Sequence, residues 1–448
     1  MYQNIINTVN IRQFRILVLV GVLFTTLSMA AETGLENSSH SWLKLLEQGS
    51  QQLPLRIERM EELIHITLAN NSQLQAKYSE WKMRMAEVGS VVNIPDPTLS
   101  AGYFLEPVET AQGPQKAKLS LSQSLPWPSK YKAAKQARIA RADRAFEVLN
   151  QARLDLIREL GIYWSELSYL RDSQLVLEQK IAHSKDLEAI LRTRYTSASI
   201  SHEQYGDAQI QTLRLGDQLE SLNDRLNRLR VNLSTLMELK TPIDLDLIPI
   251  NILNSSDPVG DMDKVNNHPR IQVLEKMRLE VDALQTQARA DYLPDLKIGL
   301  DYIITDPKSV DGIELSGSGQ DPLVVSLGIA VPLLNWNQKR SVLESRKWQL
   351  KQVNNQRKHE ESQMFQELQI LSSKLTEKNR QISLYENDLV PKAQEVVNVM
   401  EQAYISQSVD IAGLTNAKQR LLDLELELLE AKHAARVHMA NLNYLRGD

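Results

Sequence analysis

The sequence predicts a mainly α-helical fold with a membrane β-barrel, built from a unit of helix, strand, strand, long helix, turn and long helix that occurs twice. Three observations carry this: a duplicated segment order, four stretches of alternating hydrophobicity, and helical runs too long for a globular core. The chain has 448 residues, 42% hydrophobic and 24% charged, with a formal net charge of −5. That composition supports packed structure rather than disorder. The mild acidity, without a clustered basic face, argues against nucleic-acid binding.

The duplication is read from paired segments. "IPDPTLSAGY" from Ile94 is matched by "LPDLKIGLDY" from Leu293, an offset of 199 positions. "LSLSQSLPWPSKYKAAK" is matched by "VSLGIAVPLLNWNQKRS", with Pro126 opposite Pro332. "RYTSASISHEQYGDAQ" is matched by "AYISQSVDIAGLTNAK", with Tyr195 opposite Tyr404, an offset of 209. The first repeat is assigned to residues 58–240 and the second to 264–445, after an N-terminal extension at 31–57. Residues 241–263 are read as a linker because Pro242, Pro249, Pro258 and Gly260 fall among few periodic apolar positions.

The N-terminus reads as a signal peptide over residues 1–30. Arg12 and Arg15 precede an apolar run from Ile16 to Leu27, and Ser28-Met29-Ala30 supplies small residues for cleavage after Ala30. A membrane anchor is the competing reading, but the run is short for a span and no stop-transfer flank follows. The chain is therefore expected to be exported. It has no cysteine, which excludes disulfides, thiol catalysis and an acylated N-terminal cysteine. No later segment offers the roughly 18 apolar residues of a membrane helix, so contact with a membrane core must be made by strands.

Strands are expected at about 98–105, 116–126, 295–304 and 322–332. Leu99, Ala101, Tyr103 and Leu105 share one parity, as do Leu119, Leu121 and Leu125. In the second repeat Leu296, Ile298, Leu300, Tyr302 and Ile304 share a face, as do Leu323, Val325, Leu327, Ile329 and Val331. Opposite positions are small or polar. Polar loops are expected at 106–115 and 305–321. Alternation alone also describes a soluble antiparallel sheet; export, with Trp127 and Trp336 just past strand ends, favours the membrane barrel.

From Ser129 to Arg194 there is no proline and one glycine, Gly161, enough for roughly 100 Å of helix. The returning arm has a seam of Leu215, Leu219, Leu222, Leu226, Leu229, Leu233 and Leu236, the spacing of coiled-coil knobs. The second repeat repeats it with Leu414, Ala417, Leu421, Leu424, Leu428, Ala431 and Ala435. Pro391 is expected to break or kink the outgoing helix there. Four strands cannot close a barrel alone, because unpaired edges are not tolerated in lipid. The chain must share its barrel with copies of itself. The junctions Pro126-Trp127-Pro128 and Pro332 with Trp336 lead straight into helices, so all helices leave the barrel on one side, as a duct.

These features together resemble the TolC-like outer-membrane efflux proteins, over about Met60 to Asn443. The carriers are the duplicated unit, "PDP" before the first strand, a proline ending each second strand, and two Tyr-led turns. "SQSLPWPSK" is similar to the "PWPGK" of outer-membrane components of metal-efflux systems, with Ser129 in place of glycine. The resemblance implies a homotrimer with four strands per chain in a twelve-stranded barrel continued by a coiled-coil helical barrel. It implies an outer-membrane site in a Gram-negative bacterium, and partners in a periplasmic adaptor (membrane fusion protein) and an inner-membrane pump of the resistance-nodulation-division type. The implied role is a passive exit duct, not an enzyme, with metal cations as one cargo class.

The family's hairpin tips carry a Tyr-x-x-Gly pattern that meets the adaptor. That maps docking to Tyr195, Ala198, Ser199 and Ile200, and to Tyr404, Gln407, Ser408 and Val409. Ala198 and Gln407 stand where the pattern has glycine. The periplasmic entrance maps to Gln204, Asp207, Gly413 and Asn416, with Asp410 close by as a substitute acid. Ser201 and Asp410 also read as ordinary N-caps.

No cofactor or metal motif stands out. His433 and His438 are five apart, off a common helix face, and Met83 and Met85 read as packing rather than copper ligands. The alternative is an exported periplasmic coiled-coil adaptor or scaffold that forms no pore. An adaptor would normally show one helical hairpin between β-rich halves, whereas this chain has strands before each of two.

Overall fold

The four alternating segments pair into one antiparallel sheet in the order β1-β2-β3-β6: β1 is Thr98–Thr110, β2 Gly113–Leu125, β3 Asp295–Thr305 and β6 Leu323–Ala330. The computed structural model describes residues 42–48, 60–90, 94–239, 243, 265–310, 313–332, 334–406 and 408–447. The expected signal peptide, most of the N-terminal extension and, Ile243 apart, the expected linker lie outside them.

The register joins the repeats. Leu99 faces Leu121, Leu121 faces Leu300, and Leu300 faces Val325. One position along, Thr98, Ser122, Gly299 and Ser326 make the next row. Because side chains alternate along a strand, these rows lie on opposite faces of the sheet. The apolar face is open: Leu99 is 74% exposed, Val325 69% and Leu327 82%. A sheet folded in water would cover such a face.

The first hairpin departs from expectation. Instead of a loop over 106–115, β1 and β2 continue to a turn at Ala111 and Gln112. The register shifts between Tyr103 and Val108, and this irregularity absorbs Pro107 on an edge strand that needs no donor there. Gly113 closes the turn at φ 128°, and a Cβ there would collide with the Asp306 carbonyl. The second loop carries a two-residue-stranded hairpin, β4 (Ser309–Val310) and β5 (Ile313–Glu314). Asp321 ties it down, accepting from the Thr305 N–H at 2.8 Å and from the Tyr302 hydroxyl.

Helices α1 (Leu43–Gln48), α2 (Met60–Asn70) and α3 (Ser72–Gly89) precede the sheet. Asn71 divides α2 from α3, accepting from Leu74 N–H as the N-cap of α3 while its amide donates to the Leu236 carbonyl. Past the junction, α4 runs Pro128–Thr196 as 69 residues, with proline at its first position, where no intrahelical donor is needed. The hairpin partner α5 is His202–Leu236. In the second repeat α6 (Pro269–Ala290) precedes β3 and α7 (Trp336–Leu384) follows β6. A π turn at Tyr385–Leu389 joins α7 to α8 (Val390–Ile405), and α9 (Ile411–Arg446) returns.

The leucine seam of α5 packs as its spacing predicts. Leu215, Leu229 and Leu233 are buried, and Leu229 and Leu233 join Leu160, Leu167 and Leu170 of α4 in one core. A second core links Leu154 of α4, Leu368 and Leu375 of α7, and Leu442 of α9. Between α4 and α6, Glu280 is 6% exposed and receives Arg141 Nε at 2.8 Å and Arg144 Nε at 2.9 Å.

Pro391 does not end its helix. The Val390 N–H donates to the Tyr385 carbonyl, five residues back, so one extra residue is taken into the turn just ahead of the proline. The ring cannot continue the usual ladder, and widening that turn accommodates it without a loop.

Candidate functional site

Two regions present the residues to which the sequence points: the helical hairpin tips and the sheet with its junctions. The α4–α5 tip is closed by a Schellman arrangement. Ser199 N–H donates to the Arg194 carbonyl at 2.8 Å and Ala198 N–H to the Tyr195 carbonyl at 2.9 Å. This motif requires a left-handed residue after the helix cap, and Ala198 supplies it at φ 53°. The glycine missing from the Tyr-x-x-Gly pattern is missing at the position where glycine would relieve strain. At the α8–α9 tip, Ser408 N–H makes the matching bond to the Ala403 carbonyl at 2.9 Å. Gln407 lies outside the described residues.

Each tip also holds a serine pair: Ser197 Oγ to Ser199 Oγ at 3.0 Å, and Ser406 Oγ to Ser408 Oγ at 3.0 Å. Tyr195 and Tyr404 are both exposed near the tips. Tyr195 stacks on Tyr205 with centroids 5.5 Å apart and lies 5.5 Å from His202; these ring contacts belong to the first tip. Ile200 and Val409 are half-buried.

The residues mapped to an entrance have local structural work. Ser201 Oγ accepts from Gln204 N–H at 3.3 Å, and Gln204 Oε1 accepts from Ser201 N–H at 3.4 Å, a reciprocal cap on α5. Asp410 Oδ1 accepts from Gly413 N–H at 3.0 Å, placing a carboxylate at the positive end of α9. Asp207 and Asn416 are exposed beside these caps.

At the junctions, Pro126 and Trp127 lie between β2 and α4, and Pro128 opens the helix. Trp127 is 39% exposed. Trp336 begins α7 and meets Tyr292 edge to face at 4.8 Å. Pro332 follows the end of β6. On the polar face of the sheet, Lys118 pairs with Asp301 at 3.1 Å. Lys130 of α4 reaches Asp295 at 2.7 Å, tying the base of the sheet to the helices.

Sequence patterning missed the outer flanks. Leu213 and Val231 of α5 are 73% and 58% exposed, and Trp348 of α7 and Val399 of α8 are 62% and 61% exposed. These apolar side chains stay uncovered in a single chain. Their spacing is too sparse to separate from the ordinary scatter of surface leucines.

Residues 264–448 match the outer membrane efflux protein family model. Solved structures extend the likeness to the efflux-protein fold as a whole. The outer membrane protein VceC from Vibrio cholerae superposes with a TM-score of 0.68 at 16% identity, over 87% of this chain and 96% of that one. The open state of the MtrE outer membrane channel of Neisseria gonorrhoeae gives 0.68 at 15% identity, over 89% and 94%. The CmeC outer membrane channel of Campylobacter jejuni gives 0.67 at 14%, over 87% and 85%. No curated protein sequence matches the chain. The first repeat shares the efflux-protein fold through its own strands and hairpin, so the likeness covers both halves.

Proposed function

We propose that this chain is the outer-membrane channel-tunnel of a tripartite efflux system, a passive exit duct through which substrates leave. The observation that carries this reading is the sheet. Its exposed face is apolar, its other face is polar, and β1 and β6 each keep a free edge. In a bilayer the free edges must be paired, and identical copies pair them by setting β6 of one against β1 of the next. Three copies close the barrel, with the leucine and valine rows toward lipid and the serine and glycine rows toward water. The open flanks of α5, α7 and α8 then meet between copies, and the hairpins continue the barrel into the periplasm. No reaction is performed, and energy comes from partners.

Those partners are a periplasmic adaptor, docking at Tyr195, Ala198, Ser199 and Ile200 and at Tyr404, Gln407, Ser408 and Val409, and an inner-membrane pump of the resistance-nodulation-division type. Gln204, Asp207, Asp410, Gly413 and Asn416 line the periplasmic entrance. With Gln204 and Asp410 engaged as caps, Asp207 is the free acid of that set. The "PWPSK" junction favours metal cations among cargo classes.

Fractionation and conductance test the reading together. The protein should stay with the outer membrane after osmotic shock, and the purified protein should open ion-conducting pores in planar bilayers. Release by osmotic shock, with no conductance, would instead favour the adaptor or scaffold reading. Deleting the gene should raise sensitivity to transition-metal salts if metal cations are the cargo.

A further inference from the structure

The polar face of the four-stranded sheet carries four charged residues along its regular rows: Lys118 on β2, and Asp295, Lys297 and Asp301 on β3. Both acids are matched at close range. Asp301 meets Lys118 at 3.1 Å, and Asp295 accepts from Lys130 Nζ of α4 at 2.7 Å. Lys297 is the charge left over. It is exposed and makes no ion pair among the described residues.

The residues around Lys297 are small and uncharged. Its partners across the ladder are Ser124 on β2 and Gly328 on β6, and Gly299 follows two positions along its own strand. Gly328 has no side chain to lay beside the lysine stem. Asp96 precedes β1, two strands from β3, which the strand spacing puts at about 10 Å. Because β3 begins at Asp295, which Lys130 ties to α4, Lys297 lies at the helical end of the sheet.

We propose that Lys297 sets the ion preference of the membrane barrel: one ammonium from each of three copies makes a cationic ring at its helical end, favouring anions and opposing free multivalent cations. That role rests on the channel reading. Lysine rings in pores act in this sense, and lumen-facing charges tune selectivity. Twelve strands at a tilt of about 40° make a wall about 24 Å across. The Debye length is about 8 Å at physiological salt and about 30 Å at 0.01 M. The ring therefore governs the whole cross-section in dilute salt and only a layer along the wall in concentrated salt. Metal cargo then leaves more readily as a neutral or anionic complex than as a bare ion.

The full chain in planar bilayers under a potassium chloride gradient reads this preference as the chloride-to-potassium permeability ratio. At about 0.03 M salt Lys297→Gln should lower the ratio about twofold and Lys297→Glu further, and both differences should fade at about 1 M. Replacing a matched pair together, Lys118→Gln with Asp301→Asn, should leave the ratio where it was. The chain has no cysteine, so Lys297→Cys supplies a single thiol. On that one folded variant a cationic methanethiosulfonate should restore the parent ratio, and an anionic one should push it below that of Lys297→Gln. This arm carries the test should Lys297→Glu fail to assemble. Pores whose ratio ignores Lys297→Gln and both reagents overturn the proposal and leave the channel reading standing. A parent protein that opens no pores overturns both.

Discussion

Ala198 sits in the left-handed region at φ 53°, within a tip whose hydrogen bonds require that conformation. An alanine there carries about 1 kcal/mol of backbone strain that glycine lacks. Ala198→Gly should therefore tighten the tip, seen as slower hydrogen exchange of the Ala198 and Ser199 amides, and Ala198→Val should speed it. The same exchange in all three proteins would show that the turn is not strained. His268 is a second residue whose environment has a measurable consequence. It is 1% exposed, its Nδ1 accepts from Arg270 N–H at 3.2 Å as the cap of α6, and burial lowers its pKa from 6.5 to about 4. An unfolded chain takes up this proton as pH falls through 6.5, whereas the folded chain resists until near 4. Stability is thus fully present above 6.5 and drains as pH falls toward 4, by at most about 3 kcal/mol. His268→Asn keeps a capping acceptor and removes the titration. Its melting temperature should fall less than that of the parent between pH 7 and pH 4.5. His433 and His438 are also lowered by burial, so the slope should flatten rather than vanish.

The elements differ in how openly the sequence announces them. The α5 seam was legible because every knob is leucine at coiled-coil spacing, and its buried members fall where the spacing puts them. Removing one knob should be costly: Leu229→Ala deletes a side chain 2% exposed and should lose about 2–5 kcal/mol. Leu213→Ala, on the open flank of the same helix, should leave the fold of a single chain nearly unchanged and weaken association between copies. Hydrogen exchange across α5 and light scattering in detergent separate the two effects; equal loss of exchange protection in both would contradict the open flank. Strand faces were equally legible, since period two needs no partner to be seen. The end of the first hairpin was not. Glu106 and Pro107 read as loop formers, but an edge strand tolerates a proline at an irregularity. The π turn was invisible for a different reason. One extra residue changes no local propensity, so Pro391 announced a disturbance but not its form. The tips were half legible: the Tyr-x-x pattern located them, while the backbone geometry explained why glycine belongs at the next position.

At the scale of the whole molecule, the exposed apolar face and the open strand edges pose one physical problem. A single chain in water would present Leu99, Leu327 and Val325 to solvent along with unpaired backbone donors at β1 and β6, a surface that aggregates. Lipid removes the first difficulty and identical copies remove the second, so membrane insertion and assembly should be coupled. Neighbouring residues on one strand separate the contributions. Val325 lies on the apolar face, 69% exposed, and Ser326 lies on the polar face beside Gly299. In the proposed barrel, Val325→Lys places a charge in lipid at about 2–4 kcal/mol for each copy near the bilayer midplane, and closure of the barrel would multiply that cost by the number of copies. In the proposed barrel, Ser326→Lys places the same charge, one residue along, on the face turned to the aqueous lumen. The first variant should fail to reach the outer membrane as a heat-stable oligomer, while the second should assemble and change ion selectivity. If both assemble equally, the row of leucines and valines does not face lipid, and the sheet must be covered by protein instead.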